Sequence, residues 1–344
     1  VKNNKNMGAL AGVGFYRRAC RISLKGEQRA MKSFQKVMQI ATSISLVLLL
    51  SACGKTDLRI KLSEGDSRVV EVVQEYSDPK NPEKTNRKVT QYRFDVERVD
   101  SEGNHYMKVT IEKGGLGDIE GLSALGGMLP DLGSLSLDGK TFQMVLGARG
   151  TVTSVQGMNA QARELADKIV ERLKKGVAES QDVPPMLKGQ LAAAMGQVET
   201  LVRKMVAQQL GDAAMRDELA VTFSMYTDQP VKKGMEWTKT YSTEAPTAMN
   251  VTEKWKFEGK ENDLLKLTFV SDVTSNPNAP GIEFMGMKMT TNVTGKVSGT
   301  AFLERATGWP KTITSDVDLN VTVGILGMTM PKTMKGTQRW DTKS

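Results

Sequence analysis

Hydrophobic residues recur at two different spacings along this chain, and the switch between them limits the folds open to it. Over residues 58–62, 69–76, 89–99 and 106–112, apolar and polar side chains alternate one for one, the pattern of strands with a single buried face. From Asn159 the residues Ala162, Leu165, Ala166, Ile169, Val170, Leu173 and Val177 recur at three and four, which is the stripe of an amphipathic helix. Pro184 and Pro185 stop that helix, and a second stripe runs through Leu187, Leu191, Val198, Leu201, Val202, Met205 and Leu210 to Gly211 or one turn later. Alternation resumes near Leu219 and continues over 235–242, 251–258, 264–271, 287–293, 297–303, 312–322 and 336–340. Short connections between strands favour antiparallel pairing. The expected fold class is α+β, mainly antiparallel β, as two similar curved strand-rich halves with an inserted helical hairpin.

Turn chemistry sharpens this outline. Asp78-Pro79-Lys80-Asn81-Pro82 is expected to be a loop, because two prolines do not fit inside a ladder, and Ser101-Glu102-Gly103-Asn104 reads as a hairpin turn. Residues 114–139, rich in glycine and leucine, form a long irregular connection or flap, followed by strands at 141–146 and 151–155. The second strand region echoes the first. Gly65 corresponds to Gly234, Tyr92-Arg93-Phe94 to Trp255-Lys256-Phe257, and Met107-Lys108-Val109-Thr110-Ile111 to Leu265-Lys266-Leu267-Thr268-Phe269, a pattern of internal duplication. The organisation that follows is an upstream extension (1–30), a leader (31–52), a first β-rich half (53–157), a helical hairpin (158–217) and a second β-rich half (218–344).

Charge is concentrated in the leader. Residues 1–52 hold nine basic side chains and one acid, Glu27, which accounts for the whole formal net charge of +8. The balanced remainder gives no electrostatic case for nucleic acid. From Met31, the expected start, two lysines precede an apolar stretch from Ile40 to Leu50, broken by Thr42, Ser43 and Ser45. That order is a secretion signal, too short to span a bilayer comfortably. The Arg17-Arg18 pair lies too far upstream, without the usual flanking residues, to be a twin-arginine signal. The signal ends in Leu50-Ser51-Ala52-Cys53, which resembles the lipobox of bacterial lipoproteins. The resemblance implies cleavage between Ala52 and Cys53 and a diacylglyceryl thioether on Cys53, with palmitate-type acyl chains holding the protein to a membrane. Gly54 follows in place of the aspartate of the enteric retention signal, so the expected location is the bacterial cell envelope, on the outer membrane and facing the periplasm.

A second resemblance covers most of residues 57–342. The lipobox, Lys61-Leu62-Ser63-Glu64-Gly65-Asp66, the central helical pair, Pro230-Val231-Lys232-Lys233-Gly234-Met235-Glu236-Trp237 and Thr307-Gly308-Trp309-Pro310 resemble an uncharacterised family of bacterial lipoproteins. Its motifs are structural, and the resemblance implies no catalytic residue.

The search for reactive chemistry yields little. His105 is the single histidine and reads as a surface or strand-end residue. Gly121-Leu122-Ser123-Ala124-Leu125 lacks the last glycine of a nucleophile elbow, and Ser77-Asp78-Pro79-Lys80 lies in a proline loop. Gly139-Lys140-Thr141 ends like a phosphate loop, but the preceding glycine is misplaced. Asp118, Glu120, Asp131 and Asp138 lack calcium-loop spacing, and two cysteines exclude a four-thiolate site. The three Asn-Val-Thr triplets read as strand alternation. No enzyme activity, metal or cofactor is expected.

Methionine is the compositional oddity, 20 in all. Met285, Met287 and Met289 alternate, as do Met328 and Met330, so each set shares a strand face and is the candidate lining for an apolar ligand. The expectation is a lipid-anchored, noncatalytic binding or carrier protein. At fold level it is similar to the carriers and receptors that handle lipoproteins and lipids in the bacterial envelope. The alternative is a structural or assembly component that recruits another envelope protein.

Overall fold

A computed structural model describes residues 54–343 except 79–80, 115–135, 180–184, 245–247, 277–281, 285–286 and 326–327. The chain divides into two compact units, Val1–Lys55 and Thr56–Ser344. Of the first, only Gly54 and Lys55 are described.

The second unit contains β1 (Ser67–Asp78), β2 (Asn81–Val99), β3 (His105–Gly114), β4 (Thr141–Leu146) and β5 (Val152–Gln156). Three helices follow: α1 (Met158–Glu179), α2 (Pro185–Leu210) and α3 (Asp212–Thr222). The chain then forms β6 (Glu236–Thr243), β7 (Met249–Glu261), β8 (Leu264–Ser275), β9 (Ile282–Phe284), β10 (Met287–Glu304), β11 (Pro310–Ile325) and β12 (Met328–Thr342). The fold is mainly antiparallel β with a helical insertion.

All the long strands belong to one sheet, ordered β5-β4-β3-β2-β1-β12-β11-β10-β8-β7-β6, with the short β9 paired to the start of β10. The strands therefore lie beside their neighbours in sequence, apart from β8, which pairs with β10 rather than with β9, and the central β1·β12 pair, where Val70 faces Thr342 and Tyr76 faces Gly336. The helices connect β5 to β6, the two edges of the sheet.

One face of the sheet packs under the helices. Its centre is an aromatic knot in which Phe94 stands 5.5 Å from Trp309 and 5.9 Å from Trp340, while Phe223, just after α3, stands 5.3 Å and 6.0 Å from the same two rings. Ala162, Leu165, Ala166, Ile169, Val170 and Leu173 of α1 and Leu201, Val202, Met205 and Val206 of α2 are buried in the same core. Such side chains contribute roughly 1.5–3 kcal/mol each on burial, so tertiary packing rather than propensity holds the helices. The opposite face carries paired charges such as Arg87–Glu75, Arg93–Glu112, Lys296–Asp272 and Lys335–Asp318.

Several expectations change. Residues 58–62 alternate in burial but form no strand, since Ile60 N donates to Ala148 O and Lys61 N to Thr307 O on two different turns. Asn81 and Pro82 lie inside β2 rather than in a loop, and Pro82 fits because it sits at the hairpin end, away from the regular ladder. Pro185 opens α2, where its missing N–H costs nothing. The hairpin becomes three helices, because Gly211 breaks the run and α3 continues past Leu219, where strand was expected. Residues 287–303 form one strand instead of two; Gly295, with φ 156, keeps the ladder running between them.

Candidate functional site

Cross-strand register sorts the inner face into successive rows. The first row, Thr90–Val72–Trp340–Ile313–Ala301–Leu267–Phe257, lies under the helices and is largely apolar. One step along the strands, the composition changes to Lys88–Gln74–Gln338–Ser315–Gly299–Phe269–Trp255–Trp237. Next comes Asn86–Tyr76–Gly336–Val317–Val297–Ser271–Glu253–Lys239. Beyond these polar rows the face turns apolar again, and Val251, Val273, Val293 and Val321 form a second buried cluster packed with Tyr241, Met249, Val297, Leu319 and Met334. Every member of that cluster comes from a strand, whereas the main core includes all three helices.

Glycines make close packing possible at the middle of the face. A Cβ on Gly336 would lie 2.7 Å from the Tyr76 ring, and one on Gly299 would lie 2.7 Å from the Phe269 ring. Each ring therefore lies against a glycine of the adjacent strand, and only glycine admits that approach.

Two polar centres occupy the changeover. In the helical layer, α3 presents Glu218 and Val221, both exposed. Glu218 retains solvent-exposed surface, yet enough protein surrounds it for desolvation to raise its carboxyl pKa, with Lys88 pulling it the other way. Its charge also reaches Tyr76 and Tyr92, whose phenols are pushed up chiefly by burial, Tyr76 to about 12. Lys88 is exposed, and Gln74, Gln338, Ser315 and Tyr76 are partly exposed. These strand residues make an accessible patch with one base and neutral hydrogen-bonding groups.

The β6–β8 side holds a buried carboxylate. Glu253, 3% exposed, accepts hydrogen bonds from Ser224 Oγ (2.5 Å), Tyr241 OH (2.9 Å), Trp255 Nε1 (2.9 Å) and Ser271 Oγ (3.3 Å). Four donors offset the desolvation of a charge that makes no ion pair among the described residues. Burial, followed by the Glu253 charge, raises the Tyr241 pKa. Ser224 follows α3, so the network ties the helical layer to the sheet. Trp237 Nε1, on the strand beside Trp255, and Trp340 Nε1, in the first row, are buried donors without partners among the described residues.

The residues singled out from sequence fall elsewhere or beyond description. Ala52, Cys53 and Met285 lie outside the described residues. Met287 and Met289 pair with Phe284 and Ile282, and Met328 and Met330 with Ile325 and Val323; their side chains are outside the description. His105 does begin a strand, but it is buried rather than on the surface, with Nδ1 3.1 Å from Leu146 O. Asp138 accepts from Gly114 N at 2.7 Å, and Lys140 Nζ binds Glu164 at 2.8 Å, so both serve the connection around β4. No group of three or more metal-ligating acids, histidines or cysteines occurs among the described residues. Neither Glu253 nor Glu218 is distinguishable in the sequence from any other strand or helix acid. Only the register reveals that Glu253 faces the interior.

The quoted motifs have structural roles. Gly308, at φ 68, lets the turn approach Arg59 O, where a Cβ would stand 2.0 Å away. Trp309 is fully buried and donates Nε1–H to Thr342 Oγ1 at 3.1 Å, while Tyr226 OH donates to Gly308 O at 2.7 Å. Val231 pairs with Thr56, and Gly234 N donates to Phe257 O.

These features define an antiparallel β protein with a helical layer and a polar changeover on its inner face. Residues 134–310, just over half of the chain, match a family of unknown function, DUF6263, and the protein belongs to that family. No curated protein matches the chain.

Proposed function

We propose that this protein is a lipid-anchored component of the bacterial cell envelope that binds or carries an apolar ligand without catalysis. The carrying observation is the division of one sheet face into two apolar regions. The first is packed under three helices; the second, around Val251, Val273, Val293 and Val321, is built from strands alone. A face designed only to fill a core has no need for an accessible polar band between them.

In this reading Cys53 carries a diacylglyceryl group after cleavage behind Ala52, and the protein sits on the outer membrane facing the periplasm. The two strand-rich parts are similar halves derived from one unit. Matching register supports that origin: Tyr92 and Phe94 face Ile111 and Val109, while Trp255 and Phe257 face Phe269 and Leu267.

Extraction of the purified protein followed by lipid mass spectrometry tests the function. Co-purified lipid in stoichiometric amount is expected. Recovery of one stoichiometric envelope protein with no lipid would replace the carrier reading with an assembly role. Cys53→Ser is expected to abolish partition into detergent, and unchanged partition would refute the anchor.

A further inference from the structure

The chain enters its folded body without slack. Thr56 is already bridged to Val231, with Thr56 N donating to Val231 O at 2.7 Å and Val231 N to Thr56 O at 2.8 Å. Arg149 Nη1 then binds Asp57 Oδ1 at 2.6 Å, Leu58 O at 2.9 Å and Thr227 O at 2.9 Å. Further on, Ile60 N donates to Ala148 O and Lys61 N to Thr307 O. Leu58, Ile60 and Leu62 are buried along this segment, and so is Val231. Peeling the segment away would break all these bonds and return three aliphatic side chains to water.

Only Gly54 and Lys55 separate Thr56 from Cys53. Three peptide steps reach at most about 11 Å when fully extended. A diacylglyceryl group seated in a bilayer therefore draws the rim that carries Thr56 up to the head groups. Holding a body clear of the surface takes a much longer spacer, since a flexible one of about twenty residues spans about 25 Å on average.

The rim also has the charge for such a surface. Lys55 precedes Thr56, and Lys232 and Lys233 follow Val231; all three are exposed, and none makes an ion pair among the described residues. Asp57 is held by Arg59 at 2.8 Å and by Arg149 at 2.6 Å. Asp228 and Glu236 are the nearest acids along the chain without an ion pair among the described residues, and both lie further from the bridge than the three lysines. Cations beside an acyl anchor add attraction to anionic lipid.

The sheet fixes what lies at the far end. Strand β1 starts from this rim at Ser67, just after Gly65 N donates to Val96 O, and runs to Ser77 opposite Thr85. Ten residues at about 3.3 Å each carry the β1–β2 hairpin about 33 Å along the strands. Resting on the reading of Cys53 as a lipid anchor, we infer that the folded body docks on the bilayer surface through the rim around the Thr56–Val231 bridge, with the β1–β2 hairpin turned away from the membrane.

Fluorescence quenching on vesicles tests this inference with the lipidated full chain. There Cys20 has left with the leader and Cys53 is a thioether, so a cysteine placed at exposed Gln229 or exposed Thr85 takes a bimane label alone. Vesicles of phosphatidylethanolamine and phosphatidylglycerol, doped with a phospholipid bearing a nitroxide on its head group, supply a contact-range quencher. Quenching at Gln229→Cys is expected to exceed that at Thr85→Cys by at least about threefold, given the separation along the strands. Inserting about twenty Gly and Ser residues between Lys55 and Thr56 is expected to bring Gln229→Cys down to the level of Thr85→Cys while leaving the vesicle-bound fraction unchanged. Circular dichroism verifies that the labelled and lengthened chains keep the fold. Equal quenching at the two positions without the insertion, or quenching at Gln229→Cys that survives it, would overturn the docking inference and leave the anchor reading standing. A wild-type chain that fails to float with the vesicles would overturn the anchor reading and the docking with it.

Discussion

Asn159 and Asp212 cap one another's helices. Asp212 Oδ1 accepts from Met158 N at 2.7 Å and Asn159 N at 3.1 Å, while Asn159 Oδ1 accepts from Asp212 N at 3.1 Å. The exchange satisfies N-terminal donors of α1 and α3 and holds their starts together. Gly211 is required beside it, since a Cβ there would approach Asn159 Oδ1 to 2.9 Å and Ala207 O to 2.4 Å. Asp212→Ala is expected to lower stability by about 1–2 kcal/mol in urea unfolding. A double-mutant cycle with Asn159→Ala should give a coupling clearly different from zero.

Trp309 should be among the most sensitive positions in the core. It contacts Phe94 and Phe223, is fully buried, and hydrogen-bonds Thr342. Replacement by alanine is expected to cost about 3–5 kcal/mol, measured by denaturant midpoint. Trp309→Phe should cost less, since it retains ring packing and loses mainly volume and the indole donor.

The Glu253 network predicts an unusual response to an apparently mild substitution. Glu253→Gln keeps the shape but replaces one acceptor oxygen with an NH2 group, which then faces either Tyr241 and Ser271, the donors to Oε1, or Ser224 and Trp255, the donors to Oε2. A destabilisation of roughly 1.5–3 kcal/mol follows from losing charge-assisted bonds in a buried site. Stability equal to wild type in urea would contradict this arrangement.

Alkaline pH should act through the tyrosines. Burial raises the pKa of Tyr76, Tyr92, Tyr226 and Tyr241 above the ordinary value of 10.0, with Tyr76 at about 12. A group whose pKa is raised by folding contributes stability that is complete below the unfolded value and fades as pH climbs through the folded one. Stability is therefore expected to fall from about pH 10 upward, with tyrosinate absorbance appearing together with unfolding. Glu164 works at the acid end: hydrogen bonds from Lys140 and then Lys168 lower its pKa to about 2, so its contribution is present above the usual carboxylate range and disappears as pH approaches 2.

Much of the fold could be read from spacing, because a half-buried sheet and an amphipathic helix leave different periods. Strand β4 was expected at its observed bounds, and the stripe of α1 from Ala162 to Leu173 is buried as a unit. Errors arose where local signals met long-range contacts. Leu58, Ile60 and Leu62 alternate like a strand, but their backbone bonds go to separate turns. Pro82 carries a loop signal that the hairpin end accommodates. The inner polar band leaves no mark in the sequence because its polar members lie in seven different strands. Sequence drew attention instead to methionines, whose spacing is local.

The pairing of β1 with β12 joins residues as distant as Glu71 and Lys343, 272 positions apart. Consequently the sheet's middle seam closes only after synthesis has delivered the C-terminal strand, and until then each portion displays an unpaired border on that side. Early release of a shortened polypeptide would leave sticky β edges rather than a trimmed rim. Chaperones or proteases should recognise such truncated products far more readily than chains clipped at β5 or β6.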